Sequence, residues 1–242
     1  MSKEYVKENG LGYDYGRQIV CDLRTKTLIC FLNHLEPAPI EKWSQIHSEG
    51  DTINGKKRYS NIKCLAQDFS NGKGENSIFV SHNLSPKDVK LLKNMVDCRF
   101  NSYNKEFFKR MLNKEKEFCK QFFKRMTQDK ISPYTSINIT RDTNMRLPWE
   151  IEVSQGKAVR VDSYKKKDKY EDIQSISQRY DDDSFFNLIT TVYDFLILWE
   201  HTFGSALIKK GQKLAMQAII AEEKARIDSN NGGERNSQSD HY

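Results

Sequence analysis

The sequence predicts an α+β fold made of antiparallel sheet units, each followed by a helix, with a long C-terminal helix at the end. Three observations lead there: short β-branched runs separated by turn formers, strand-to-helix junctions that carry caps, and apolar residues at helical spacing near the C-terminus. The 242 residues are 37% hydrophobic, which is enough for a real core.

The elements follow in order. Residues 1–16 are polar and form a flexible N-terminus. Arg17-Gln18-Ile19-Val20-Cys21-Asp22-Leu23 and Thr27-Leu28-Ile29-Cys30-Phe31-Leu32 read as two strands joined by a charged hairpin turn. Pro37 and Pro39 forbid a continuing strand and lead into a short helix near Trp43, after which residues 48–58 read as a polar loop. Ile62–Ala66 and Ser77–Val80 read as strands joined through Asn71-Gly72. Ser85-Pro86-Lys87-Asp88 supplies an N-cap, a proline at the first helical position and an acid three residues after the cap. A helix is expected from Pro86 to Val96.

Phe107, Met111, Phe118, Phe122 and Met126 recur mainly at helical spacing, so a second helix is expected over 105–128. Ser136–Thr140 and Trp149–Val153 read as strands, with Gly156-Lys157 starting a turn into Ala158–Val161. A lysine-rich loop precedes a strand near Ile173–Ile176. The helix from Asp183 carries Phe185, Leu188, Ile189, Val192, Leu196 and Trp199, bends or breaks at Gly204, and continues to about Arg226. Residues 228–242 read as a disordered tail.

Val80, Leu84, Val89, Leu92 and Val96 lie over Ile176, Tyr180, Phe185, Leu188 and Val192 with no gap. One reading is an internal duplication, with halves at 17–104 and 130–227 joined by the basic helix 105–128. The other is that any strand-cap-helix junction aligns in this way. As a duplication, the order of elements over 17–203 resembles the transcription-coactivator and Whirly group of single-stranded-DNA-binding proteins, whose sheet-plus-helix units occur in pairs. Gln155-Gly156-Lys157-Ala158 is similar to the lysine-glycine-lysine-alanine signature of Whirly proteins except at its first position. The resemblance implies single-strand binding and carries over no individual binding residue. The inserted 105–128 segment departs from that family's pattern.

Charge points the same way. The net charge is +6, and the 105–128 segment holds Lys109, Arg110, Lys116, Lys120 and Lys124 among its cations, a face suited to phosphates or simply to solvent. Arg160, Lys165, Lys166, Lys167 and Lys169 stand with Tyr164 and Tyr170, and aromatics flanked by cations are how single strands are often held. These twelve residues form the candidate nucleic-acid-binding set. The expected partner is single-stranded nucleic acid. The alternative is a protein partner or a homodimer through the C-terminal helix, as in a phage or mobile-element protein that inhibits or adapts a host complex.

Other chemistry is not indicated. No phosphate-binding glycine loop, nucleophile elbow or paired-histidine spacing occurs, so neither an enzyme, a metal nor a cofactor is expected. Asp181-Asp182-Asp183 sits where a helix N-terminus favours negative charge, which is preferred to a cation site. The five cysteines lack C-x-x-C spacing and are expected as buried free thiols of a cytoplasmic protein. No apolar run approaches the roughly 20 residues needed to span a bilayer, so no membrane partner is expected.

Overall fold

The computed structural model describes residues 15–72, 76–127 except 101–117, 129–162 and 167–233. The chain is α+β and divides into two compact units. One is built from the chain up to Leu35 and from Ser60 to Ile197, the other from Glu36–Tyr59 and the chain from Leu198.

The first unit holds two four-stranded antiparallel sheets. Strands β1 (Gln18–Leu23), β2 (Thr27–His34), β5 (Asn61–Asp68) and β6 (Ile78–Leu84) form the first, in the order β1-β2-β5-β6. Helix α1 (Pro86–Phe100) follows directly. Strands β7 (Phe118–Arg125), β8 (Ile131–Arg141), β9 (Trp149–Asp162) and β10 (Lys167–Tyr180) form the second, in the order β10-β9-β8-β7, and α2 (Asp182–Trp199) follows it.

The sheets pack face to face. Because side chains alternate along a strand, the pairing puts Ile29, Phe31, Ile62, Cys64, Ala66, Val80, His82 and Leu84 on one face of the first sheet. All are buried. They meet the face of the second sheet that carries Ile137, Ile139, Trp149, Ile151, Val153, Ile176 and Tyr180, also buried.

Polar pins fix this contact. Gln178 Nε2 donates to Asp22 Oδ2 at 2.6 Å, and Thr27 Oγ1 donates to Gln178 Oε1 at 3.0 Å. His82 Nδ1 lies 2.9 Å from Thr135 Oγ1. Burial is the main reason that the His82 pKa falls to about 4. Lys124 adds to the fall, while Asp88 and the Thr135 hydrogen bond oppose it.

Both helix starts are closed by reciprocal caps. Ser85 Oγ donates to Asp88 Oδ2 at 2.7 Å and accepts from the Asp88 N–H at 3.2 Å. In α2 the roles are exchanged: Asp181 Oδ1 accepts from the Ser184 N–H at 2.7 Å, and Ser184 Oγ donates to Asp181 Oδ2 at 3.0 Å. Asp182 instead holds Arg141 in a two-pronged pair at 3.0 and 3.1 Å and accepts from Trp149 Nε1 at 2.7 Å. These bonds, the Arg141 pair first, hold its carboxyl below the usual range. The acidic triplet is therefore a cap and a clamp. Among the described residues, no three His, Cys, Asp or Glu side chains converge as metal donors. Trp149 also stacks on Phe185 at 3.9 Å.

In the second unit, β3 (Glu49–Ile53) and β4 (Lys56–Tyr59) form a hairpin after a 3-10 turn at Ile40–Gln45. A π-helical turn, Glu200–Gly204, leads from α2 into α3 (Ser205–Gly233). His47 Nε2 lies 2.8 Å from Glu200 Oε1 and its ring stacks on Trp199 at 5.0 Å. Ile46 lies against Gly204, and the Trp43 ring lies directly on Gly211, where any Cβ would collide with it. No helix among the described residues is long and apolar enough to cross a membrane.

Several expectations are corrected. Of the expected 105–128 helix, Phe118–Arg125 is strand β7, Met126 and Thr127 lie outside any helix or strand, and 105–117 and 128 lie outside the described residues. The spacing misled because Phe118 and Phe122 share a face at period 2 as well as at period 3.6. The 48–58 loop is a hairpin turning on Asn54 and Gly55, both at positive φ, the arrangement that tight two-residue turns require. Gly156 starts no turn, since β9 runs through it from Trp149 to Asp162. The loop expected around Lys167 and Lys169 is already β10. The expected tail at 228 is still helix to Gly233, with 234–242 outside the described residues. Cys21 and Cys30 stand opposite each other across β1 and β2 and are joined as a disulfide, not held as free thiols. Cys64 is a buried free thiol, whereas Cys119 is free but exposed.

Candidate nucleic-acid interface

The second sheet has one face against the first sheet and one turned away from it. On the turned-away face, register places Phe123 beside Ser136, Ser154 and Ser175 in one row, and Gln121 beside Asn138, Glu152 and Ser177 in the next. Ser175 and Ser177 are exposed, so this face is open to solvent there. It is rich in hydroxyls and amides.

An aromatic cluster stands at one end of it. Phe123 stacks on Tyr134 at 5.5 Å, Tyr134 lies 4.9 Å from Tyr170, and Phe123 meets Tyr170 edge-on at 5.4 Å. Tyr134 is buried at the centre, while Phe123 and Tyr170 are 43% and 44% exposed. The cluster needs Gly156. A Cβ there would come within 2.8 Å of both the Tyr134 ring and the Glu171 carbonyl oxygen. Beside it β10 bulges between Glu171 and Gln174, with Asp172 at φ 51° reaching Lys157 at 2.6 Å. The Tyr134 hydroxyl is pushed up in pKa, chiefly by burial, then by Tyr170 and by Glu152.

The candidate set divides on this frame. Tyr170 is in the cluster. Arg160 and Asp168 pair at 2.6 Å and are largely buried, and Lys169 pairs with Glu171 at 3.0 Å. Lys120 and Lys124 lie on β7 with side chains alternating to the Phe122 side, opposite Phe123. Lys120 Nζ lies 5.1 Å over the Phe122 ring. Lys167 begins β10, but its side chain lies outside the described residues, as do Lys109, Arg110, Lys116, Tyr164, Lys165 and Lys166.

The open face is not itself strongly basic. Arg179 pairs with Glu150 at 2.9 Å, and Glu152 adds negative charge. Cations and aromatics therefore occupy different places on the described part of the sheet: lysines on the β7 edge, rings on the face. Phe123 and Tyr134 were not singled out from sequence. The signal was present in Phe122-Phe123, since a strand sends adjacent residues to opposite faces and so exposes one of two neighbouring phenylalanines.

The chain matches no family model, no curated protein and no solved structure.

Proposed function

We propose that the protein is a non-enzymatic accessory factor that holds single-stranded nucleic acid with little regard to sequence, its bases stacking on Phe123 and Tyr170. The observation that carries this reading is the pair of half-exposed rings braced by Tyr134 over Gly156. A stacked base contributes roughly 1–3 kcal/mol, and every base has a face to stack. The hydroxyl and amide rows alongside offer hydrogen bonds to base edges or sugars, while Glu150 and Glu152 disfavour phosphate there. The phosphates run instead along the β7 edge, where Lys120 and Lys124 supply positive charge. A cytoplasmic location belongs to the same proposal.

The test is fluorescence anisotropy of labelled single-stranded and duplex oligonucleotides at several salt concentrations. Single strands are expected to bind more tightly, with affinity falling as salt rises. Replacing Phe123 and Tyr170 together by Ala is expected to weaken single-strand binding by about tenfold or more. Charge reversal at Lys120 and Lys124 is expected to flatten the salt dependence. No binding at low salt, or binding indifferent to both ring substitutions, rejects the reading.

A further inference from the structure

Among its described side chains, helix α3 is covered only at its beginning. Gly204, just before it, and Gly211, in its second turn, lie under Ile46 and Trp43 of the hairpin segment. From Gln212 to Ser229 every residue is exposed. That stretch is not polar throughout. Met216, Ile219, Ile220 and Ile227 are 62%, 55%, 55% and 58% exposed.

At 100° per residue, Met216, Ile220 and Ile227 fall within about 40° of one another, with Ile219 about 60° to one side. Gly211 and Leu214 point to the opposite side, the side that the hairpin segment covers at Gly211. The Met-Ile stripe is therefore a second face, and no described residue of the second unit is packed on it.

The charges indicate what covers it. The first half of α3 carries Lys209, Lys210 and Lys213 and no acid, while the acids of the helix, Glu222, Glu223 and Asp228, all lie in the second half, with Lys224 and Arg226 among them. Lys213 and Glu223 flank the stripe at its two ends. We infer that α3 pairs antiparallel with α3 of a second copy of this chain, centred near Ala218. Met216 of each copy then packs on Ile220 of the other, Lys213 of each faces Glu223 of the other, and the Lys209 stem covers Ile227. A parallel pair would set Lys213 against Lys213 and Glu223 against Glu223, which is repulsive. Antiparallel alignment also opposes the two helix dipoles favourably. The paired stretch from Lys209 to Ile227 is only about 27 Å long. An interface of that size is small, so the dimer is concentration-dependent and not obligate.

Sedimentation velocity of the full chain over a wide concentration range tests this. A reversible monomer–dimer equilibrium is expected. Ile219→Glu with Ile220→Glu, both at exposed positions, is expected to leave a folded monomer by circular dichroism. Lys213→Glu alone and Glu223→Lys alone are each expected to raise the dissociation constant several-fold. Combining the two in one chain restores like-for-opposite pairing and is expected to return the dimer. A chain that stays monomeric at every concentration overturns the inference, as does a dimer untouched by the isoleucine changes. Failure of the combined charge swap to restore pairing overturns the antiparallel arrangement.

Discussion

The two halves of the first unit solve one structural problem with different chemistry. Val80, Leu84, Val89, Leu92 and Val96 of the first half and Ile176, Tyr180, Phe185, Leu188 and Val192 of the second are all buried. Even the caps correspond, Ser85 with Asp181 and Asp88 with Ser184, hydroxyl and carboxylate having traded places. The faces turned away from the shared core differ. In the first sheet that face carries Leu28, Cys30, Leu32 and Leu65, all buried, with Cys21 and Phe79 packed against them. In the second it carries serines, amides, carboxylates and the Phe123-Tyr134-Tyr170 cluster. One architecture thus yields a sheet buried on both faces and a sheet with one face open. A binding surface needs the second kind.

Paired substitutions break or sharpen this comparison. The largest expected effect is at the aligned helix positions. Phe185→Ala removes the ring stacked on Trp149 and should cost about 3–5 kcal/mol, whereas Val89→Ala removes far less volume and should cost clearly less. Denaturant midpoints of the two variants check this. Equal losses would mean that the halves share their core load evenly despite the difference in side-chain size.

Next comes His82, which pins the sheets through Thr135. Its folded pKa near 4 lies below the ordinary value of 6.5, so the unfolded chain takes up the proton first. The associated stability is present above pH 6.5 and is lost as pH falls from there toward 4, a loss on the order of 2–3 kcal/mol. His82→Asn should remove that part of the pH dependence, as measured by urea midpoints between pH 4 and pH 7.5. An unchanged slope would show that His82 is not the group responsible.

The smallest effect is at the caps. Ser85→Ala and Asp181→Ala should each cost about 1 kcal/mol, with thermal melts as the readout. A several-fold difference between them would break the equivalence of the two junctions.

Much of this fold is legible in the sequence, for reasons that can be named. The caps at Ser85 and Asp181 are local chemistry, and the apolar spacing of α2 runs long enough to exclude a strand. The α+β class and the strand-then-helix order follow from them. The β7 segment was not legible, because Phe118 and Phe122 four residues apart satisfy both periods and Lys120 between them suits a helix as well as an edge strand. The open face was harder still. Tyr134, Phe123 and Tyr170 lie on three different strands, and only sheet register brings them together over Gly156. Of the twelve residues chosen by charge and aromatic content, five have described side chains; among these Tyr170 alone falls in that cluster, while Arg160 and Lys169 are drawn into ion pairs with Asp168 and Glu171.

The anchoring of α3 by Trp43 at Gly211 has a consequence for how the molecule comes apart. From Gln212 to Ser229 the helix has no tertiary burial among the described residues, so its backbone hydrogen bonds there are held only by intrinsic propensity and neighbouring side chains. Its amides open and exchange without any opening of the sheets, and the C-terminal turns fray first. Within the described part of the second unit, limited proteolysis is therefore expected to enter α3 beyond Gly211 and to slow where it meets the tryptophan.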